Sequence, residues 1–430
     1  MKNLIIIFLI TFCFTSVKAQ KKLSLSDAIS IGLENNYGLK VQKNSEKIAK
    51  INNTWGNTSF VPTLSFNTSI RENFNYNDKE NYRTQTIVPD LSLNWLVFNG
   101  FSAKINKKRF EELEQKSQGN TAILVENTIQ DIIMAYNNCL LQKEMLSVFK
   151  KLADLSEDRY NRTLESKKLG ASTTYEITKA KTSWLEDQSN YLQQKTTFTN
   201  AVRTLNFILA IDDNQQWELS TNLETNAATY KIEDLEHKLM VANATLKNQY
   251  LYQSLLAKET KLAENSYSPS ISLNAGIRNS DLGNYYTKNT PDFTQNSSDT
   301  YVGLTFSWNI FNGGTRKRSV EIAKINEESA DVQTSQMEHS LKNQLLQTFS
   351  KYEVQKSLLE LAIERESSAK LNLKLSEEKF KNGSINSFNY RDVQISYINA
   401  AIYKLQATFN LINSNTDLLR ITGGIISEYE

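Results

Sequence analysis

The feature that most constrains this chain is a duplication. Trp95-Leu96-Val97-Phe98-Asn99-Gly100 returns 213 residues later as Trp308-Asn309-Ile310-Phe311-Asn312-Gly313, each time closing an alternating run and opening a long helical pattern. The same offset relates Lys168-Leu169-Gly170-Ala171-Ser172 to Lys381-Asn382-Gly383-Ser384-Ile385. Upstream it becomes 207, relating Asn36, Leu39, Gln42 and Pro62 to Asn243, Leu246, Gln249 and Pro269. The halves therefore differ by six residues, between the two strands of each half. A period this long marks two copies of one supersecondary unit and decides the fold before any motif does.

At the N-terminus, Met1-Lys2-Asn3 precedes an apolar run from Leu4 that ends near Ser16-Val17-Lys18-Ala19. This pattern predicts a secretory signal peptide over 1–19, with cleavage before Gln20. A membrane anchor would need about 18 to 20 apolar residues. Cys13 lacks the small residues that would precede a lipid-attachment site. Without Lys2 and Lys18 the formal charge of +2 falls to zero, so no global basic footprint points to nucleic acid. Only Cys139 would remain, which excludes an intramolecular disulfide.

All four prolines fall in two windows, Pro62 with Pro89 and Pro269 with Pro291. Proline is excluded from helix interiors, and the proline-free tracts are rich in Leu, Glu, Lys, Gln and Ala. They predict helices over 101–168 and 172–210, and over 315–381 and 385–421. Shorter helices are expected over 20–59 and 231–266, a linker over 211–230 and a tail over 423–430. A 67-residue helix is about 100 Å long, and the seam Val125, Ile129, Ile132, Tyr136, Leu140 steps by three and four as coiled-coil packing requires. The repeats thus run 20–210 and 231–422.

The proline windows alternate instead. Phe60, Pro62, Leu64, Phe66 and Ile70 face one way in a strand over 60–76, and Ile87, Pro89, Leu91, Leu93, Trp95 and Val97 in one over 84–98. Strands over 267–278 and 300–311 repeat the pattern. A half-buried soluble sheet shows the same alternation, but the adjoining helices are too long to cover it. Strands of this kind suit a tilted crossing of an outer membrane, with Trp and Tyr near their ends as interfacial girdles. Four strands cannot close a barrel, and open edges are not tolerated in lipid. Self-association is therefore expected, and three copies would supply twelve strands.

In this order, Leu23-Ser24-Leu25-Ser26-Asp27-Ala28-Ile29 with Leu33-Glu34-Asn35-Asn36, the two aromatic-Asn-Gly boxes, the two glycine turns and the duplication resemble the TolC-like outer membrane efflux protein family. The second half departs from the opening motif, with Tyr230-Lys231-Ile232-Glu233-Asp234-Leu235 and Asn243-Ala244. The resemblance implies a mainly α fold with membrane β: a duplicated strand-strand-long helical hairpin repeat, whose homotrimer forms a 12-stranded β-barrel continued by an α-helical barrel. It also implies an outer-membrane location with a long periplasmic extension, and passive export together with a periplasmic adaptor (membrane fusion) protein and an inner-membrane pump.

Three sets of residues carry functional expectations. Trp95, Phe98, Asn99, Gly100 and Trp308, Phe311, Asn312, Gly313 are hairpin turns or strand-to-helix joints; the helical periodicity that follows favours joints. The basic residues after them (Lys104, Lys107, Lys108, Arg109; Arg316, Lys317, Arg318) either meet outer membrane lipid phosphates or form a solvated helix face. Leu169, Gly170, Ala171, Ser172 and Asn382, Gly383, Ser384, Ile385 are the far turns, with new helices capped at Ser172 or Ser384; the resemblance makes them adaptor-docking tips, the alternative being plain turns. Asn389, Arg391 and Asp392 follow the second turn. The family carries gate carboxylates there, of which Asp392 matches the second and Asn389 replaces the first; otherwise Arg391 and Asp392 are surface charges.

No catalytic function is expected, and no cofactor. His237 and His339 lack companions at metal-ligand spacing, and no phosphate loop or nucleophile elbow occurs. The competing reading is a trimeric outer-membrane-anchored coiled-coil structural protein or adhesin, in which strands would be expected once, at the C-terminal end.

Overall fold

The computed structural model describes residues 21–429 except 77, 79, 80, 226 and 287–290. The expected signal peptide lies outside the described residues. The chain forms two compact units, one built from residues up to Val41, Ala122–Asn243 and from His339 onward, the other from Gln42–Thr121 and Ala244–Glu338.

In order, the elements are β1 (Lys21–Leu23), α1 (Leu25–Asn35), α2 (Tyr37–Asn52), β2 (Thr63–Asn75), β3 (Tyr82–Phe98), α3 (Ser102–Lys168), α4 (Thr174–Ile208), β4 (Trp217–Leu219), α5 (Ile232–Ala242), α6 (Ala244–Asn265), β5 (Ser270–Tyr286), β6 (Phe293–Ser307), α7 (Thr315–Lys381), α8 (Ser387–Ile421) and α9 (Ile425–Tyr429). The fold is mainly helical with one large sheet, and α3 and α7 are continuous helices of 67 residues each.

The helix expected over 20–59 is instead β1, α1, α2 and a short 3-10 turn at Trp55–Thr58. Asn36 makes the break. Its ψ is 122°, and its side-chain oxygen accepts a hydrogen bond from the Leu39 N–H at 2.9 Å, ending one helix and opening the next. The break is itself duplicated: Asn243, at the 207 offset, has ψ 118° and splits the helix expected over 231–266 into α5 and α6. The expected linker contains β4, which pairs in parallel with β1, and the expected tail contains α9, whose Ile425 is buried.

In the first unit, Ile129, Ile132, Tyr136 and Leu140 of α3 are buried with Leu23, Leu205, Leu209 and Leu219. The Tyr136 hydroxyl donates to the Leu23 carbonyl at 3.0 Å. In the same unit, Leu235, Leu239, Leu345, Tyr352 and Leu411 form a second cluster.

The second unit holds an antiparallel sheet in the order β2-β3-β5-β6. Register places Leu64, Leu93, Ala275 and Val302 in one cross-strand row and Phe66, Leu91 and Ile277 in the next. This apolar face is uncovered: Leu64 and Phe66 are each 68% exposed, Val302 76% and Leu304 72%. The opposite face carries Ser65, Ser92, Asn67 and the Asp90–Arg278 ion pair at 3.2 Å. β5 and β6 differ from the expected 267–278 and 300–311. β5 extends through the Asn, Asp and Gly residues of 279–286 because β3 offers ladder partners as far as Tyr82↔Tyr286, and β6 begins at Phe293, opposite Asn284 of β5. β6 stops at Ser307, opposite the first residue of β5. A register shift between Leu96 and Phe98 brings Phe98, rather than the expected Val97, opposite Ile271 on the apolar face.

Candidate functional site

At the joints, the duplicated sequence makes duplicated contacts. Trp95 Nε1 donates to the Phe60 carbonyl at 2.8 Å, and Trp308 Nε1 to the Tyr267 carbonyl at 3.1 Å, tying each outgoing strand to the segment that leads into its neighbour. Asn99 and Asn312 then cap the long helices, their side-chain oxygens accepting from the Ala103 and Arg316 N–H groups at 3.3 Å. Gly100 and Gly313 take φ of +64° and +66°, which only glycine adopts without strain. The next residue differs between copies. Gly314 has φ +76°, whereas its counterpart Phe101 adopts +68° with a full side chain. Such a conformation costs a non-glycine residue about 1–2 kcal/mol. The Phe101 ring meets Phe98 edge-on at 5.4 Å and is otherwise 68% exposed.

The basic residues after the joints diverge as well. Arg316 lies over the Tyr267 ring at 5.7 Å, Lys317 faces Glu321 at 3.9 Å, and Arg318 donates to the Gly313 carbonyl at 3.3 Å. In the first copy Lys107 donates to Glu111 at 3.0 Å and Arg109 faces Glu259 at 3.5 Å.

The far turns close α3 and α7 identically. Gly170 and Gly383 have φ of +76° and +71°. The Ala171 N–H donates back to the Ser166 carbonyl and the Ser384 N–H to the Lys379 carbonyl, both at 2.8 Å, the paired bonds of a Schellman end. The following caps are not Ser172 and Ser384. Thr173 caps α4 in a capping box with Glu176, and Asn386 caps α8 by accepting from the Phe388 and Asn389 N–H groups. In each case the cap falls on the extended residue immediately before the helix, and Glu176 supplies the reciprocal bond that selects Thr173. Leu169 is 86% exposed. Tyr175, Phe388 and Lys179 gather beside the turns, with Lys179 Nζ 4.3 Å from the Phe388 ring centroid.

Of the three gate candidates, Asn389 and Asp392 are exposed on α8. Arg391 is neither exposed nor paired with Asp392. Its guanidinium forms a two-pronged ion pair with Asp187 of α4, at 2.6 and 2.7 Å, and Asp187 is only 2% exposed. Ser156 of α3 donates to the same carboxylate at 2.6 Å. Arg159, one turn on, is 2% exposed and donates to the Ser387 carbonyl at 3.3 Å, so α3, α4 and α8 are joined through charge. Burial pulls the Arg159 guanidinium down to about 10, the neighbouring Arg391 acting in the same direction and Asp187 against it. Sequence reasoning missed Asp187, Arg159 and Phe101. The first two carry no local signal, since their partners lie on other helices, Arg391 and Ser387 more than 200 residues away, and an aromatic residue gives no warning of a left-handed backbone.

Among the described residues no helix is long and apolar enough to cross a membrane, and no group of His, Cys, Asp and Glu could hold a metal ion.

Residues 235–424 match the family model described as outer membrane efflux protein. A search of curated proteins finds no match. Among solved structures, the CmeC outer membrane channel of Campylobacter jejuni is similar, with a TM-score of 0.75 at 16% identity over 93% of this chain and 85% of that one. CusC gives 0.77 at 13% identity over 93% and 92%. The open state of the MtrE outer membrane channel of Neisseria gonorrhoeae gives 0.75 at 14% identity over 93% and 89%. Residues 235–424 are thus similar in sequence to the outer membrane efflux protein family, and nearly the whole chain is similar in fold to the CmeC and CusC structures.

Proposed function

We propose that the protein is the outer-membrane exit duct of a tripartite export system and works as a homotrimer. One observation carries this reading: a four-stranded sheet leaves its apolar face uncovered, and its outer strands β2 and β6 are exposed along nearly their full length. In lipid every backbone polar group needs a partner, so β2 of one copy would pair with β6 of the next. Three copies of four strands make a twelve-stranded barrel. The long helix pairs would continue it into the periplasm.

In this reading the duct is passive and receives cargo and energy from an inner-membrane pump through a periplasmic adaptor. The turns at Leu169, Gly170, Ala171, Ser172 and Asn382, Gly383, Ser384, Ile385 would meet the adaptor; the exposure of Leu169 and the aromatic cluster beside it support that role. Asp392, exposed on α8, would form a ring of three carboxylates at the tunnel mouth, with Asn389 beside it uncharged. Such a ring favours cations.

The deciding experiment is fractionation with unheated electrophoresis. The protein should run as a heat-modifiable trimer from the outer-membrane fraction, and its deletion should abolish export by the partner pump. A monomer in the soluble fraction would end the proposal.

A further inference from the structure

A cavity of about 510 Å³ lies beneath the first joint, between the start of α3 and the end of α6, lined by Phe101, Lys104, Lys108, Glu112, Lys258 and Lys261 among others. Glu112 is taken up by Lys258, and Glu111 by Lys107. Lys104, Lys108 and Lys261 are left with no carboxylate within 4 Å among the described residues. At the second joint the equivalent of Lys108 is Glu321, and the cations there are already engaged by Glu321, Tyr267 and the Gly313 carbonyl. Arg316 and Arg318 also lack a carboxylate, but each has a ring or carbonyl partner; among the described residues Lys104, Lys108 and Lys261 have neither, and this sets the first joint apart.

The cavity also has a definite side. Phe101 lines it and touches Phe98, which sits opposite Ile271, and Ile271 sits opposite Phe306, 64% exposed on the apolar face. Its walls are the helix that follows β3 and the helix that precedes β5, the two central strands, rather than segments joined to the edges through which copies would pair. We propose that this cavity binds the headgroup of an anionic phospholipid, the lysines taking the phosphate and Phe101 lying along the acyl boundary. The inference rests on the membrane reading above. A free phosphate would give no reason for an exposed aromatic ring where the second copy has Gly314; an amphipathic ligand does.

Native mass spectrometry of the full-length protein, exchanged into equal phosphatidylglycerol and phosphatidylcholine, tests this. Wild type should retain phosphatidylglycerol preferentially. K104Q/K108Q/K261Q should lose that preference by at least about tenfold, since each interfacial lysine contributes roughly fivefold. K317Q, at the second joint, should keep it. Equal retention of the two lipids, a triple variant that retains phosphatidylglycerol like wild type, or its displacement by millimolar inorganic phosphate would overturn the proposal. Should the triple variant lose its heat-modifiable mobility, the wild-type preference and its loss at high ionic strength decide the question. Failure of wild type to insert into vesicles of any composition would defeat the membrane reading itself; insertion without lipid preference would defeat only this inference.

Discussion

Arg391 and Asp187, 204 residues apart in sequence, meet in a buried two-pronged ion pair that fastens α8 to α4. With Arg159 beside it, one carboxylate faces two guanidiniums, and Ser156 fills a further acceptor position. A buried carboxylate held this way positions helices, because its desolvation is offset only in that geometry.

Removing the carboxylate should therefore hurt more than removing one cation. Asp187→Ala leaves two buried guanidiniums without a counter-charge, a loss of about 3–5 kcal/mol. Arg391→Ala leaves Asp187 with Ser156 and the charge of Arg159, and should cost less. Unfolding of large assemblies is commonly irreversible, so thermal-inactivation half-lives and limited proteolysis are the appropriate measures. Equal half-lives for Asp187→Ala and wild type would contradict the assignment.

The duplicated joint glycines should respond differently to the same substitution. At Gly313 an added Cβ meets open space, so Gly313→Ala should cost only the backbone strain, about 1–2 kcal/mol. At Gly100 it would lie 2.3 Å from the Ser268 Cβ, so Gly100→Ala should add about 1–3 kcal/mol of overpacking to that strain. Comparing the two variants by thermal stability checks the difference.

Cys139 is buried, and burial pushes its thiol up to about 12. Maleimide should leave the folded protein unlabelled at pH 8 and label it after denaturation. Cysteines placed at Ala171 or Ser384 can then be crosslinked to the adaptor without removing the native thiol. Crosslinks absent from both positions in cells would sink the docking proposal.

Asp417 accepts a hydrogen bond from Gln130 at 2.6 Å, with Lys351 4.0 Å away, yet burial dominates and raises its carboxyl above the ordinary range. The folded chain thus holds this proton more tightly than the unfolded chain. Its contribution to stability grows as pH falls through the raised value and is lost as pH rises. Asp417→Asn, which keeps an acceptor for Gln130, should be more stable than wild type at pH 7, and the advantage should shrink on acidification. A pH-independent difference in melting temperature would exclude the titration.

Planar-bilayer recordings address the proposed mouth of the duct. Asp392→Ala should lower cation selectivity and weaken block by multivalent cations. A channel unchanged in both would remove Asp392 from the gate.

By itself, the sequence determined the duplication, the succession of alternating strands and very long helices, and the joint and turn positions. These follow from short-range chemistry: proline exclusion, period-two and coiled-coil patterning, and glycine at left-handed positions. Asn36 and Asn243 were visible as a repeated pair, but not as helix breaks, because an asparagine cap competes locally with helix propagation and the outcome depends on what each helix packs against. Tertiary structure alone decided the rest. It paired β3 with β5 and so lengthened strands through polar sequence. It gave Phe101 a left-handed backbone where its twin is a glycine, and it took Arg391 from the surface into a pair with Asp187. Each of these depends on which helix or strand lies opposite, a distance relationship that no local pattern encodes.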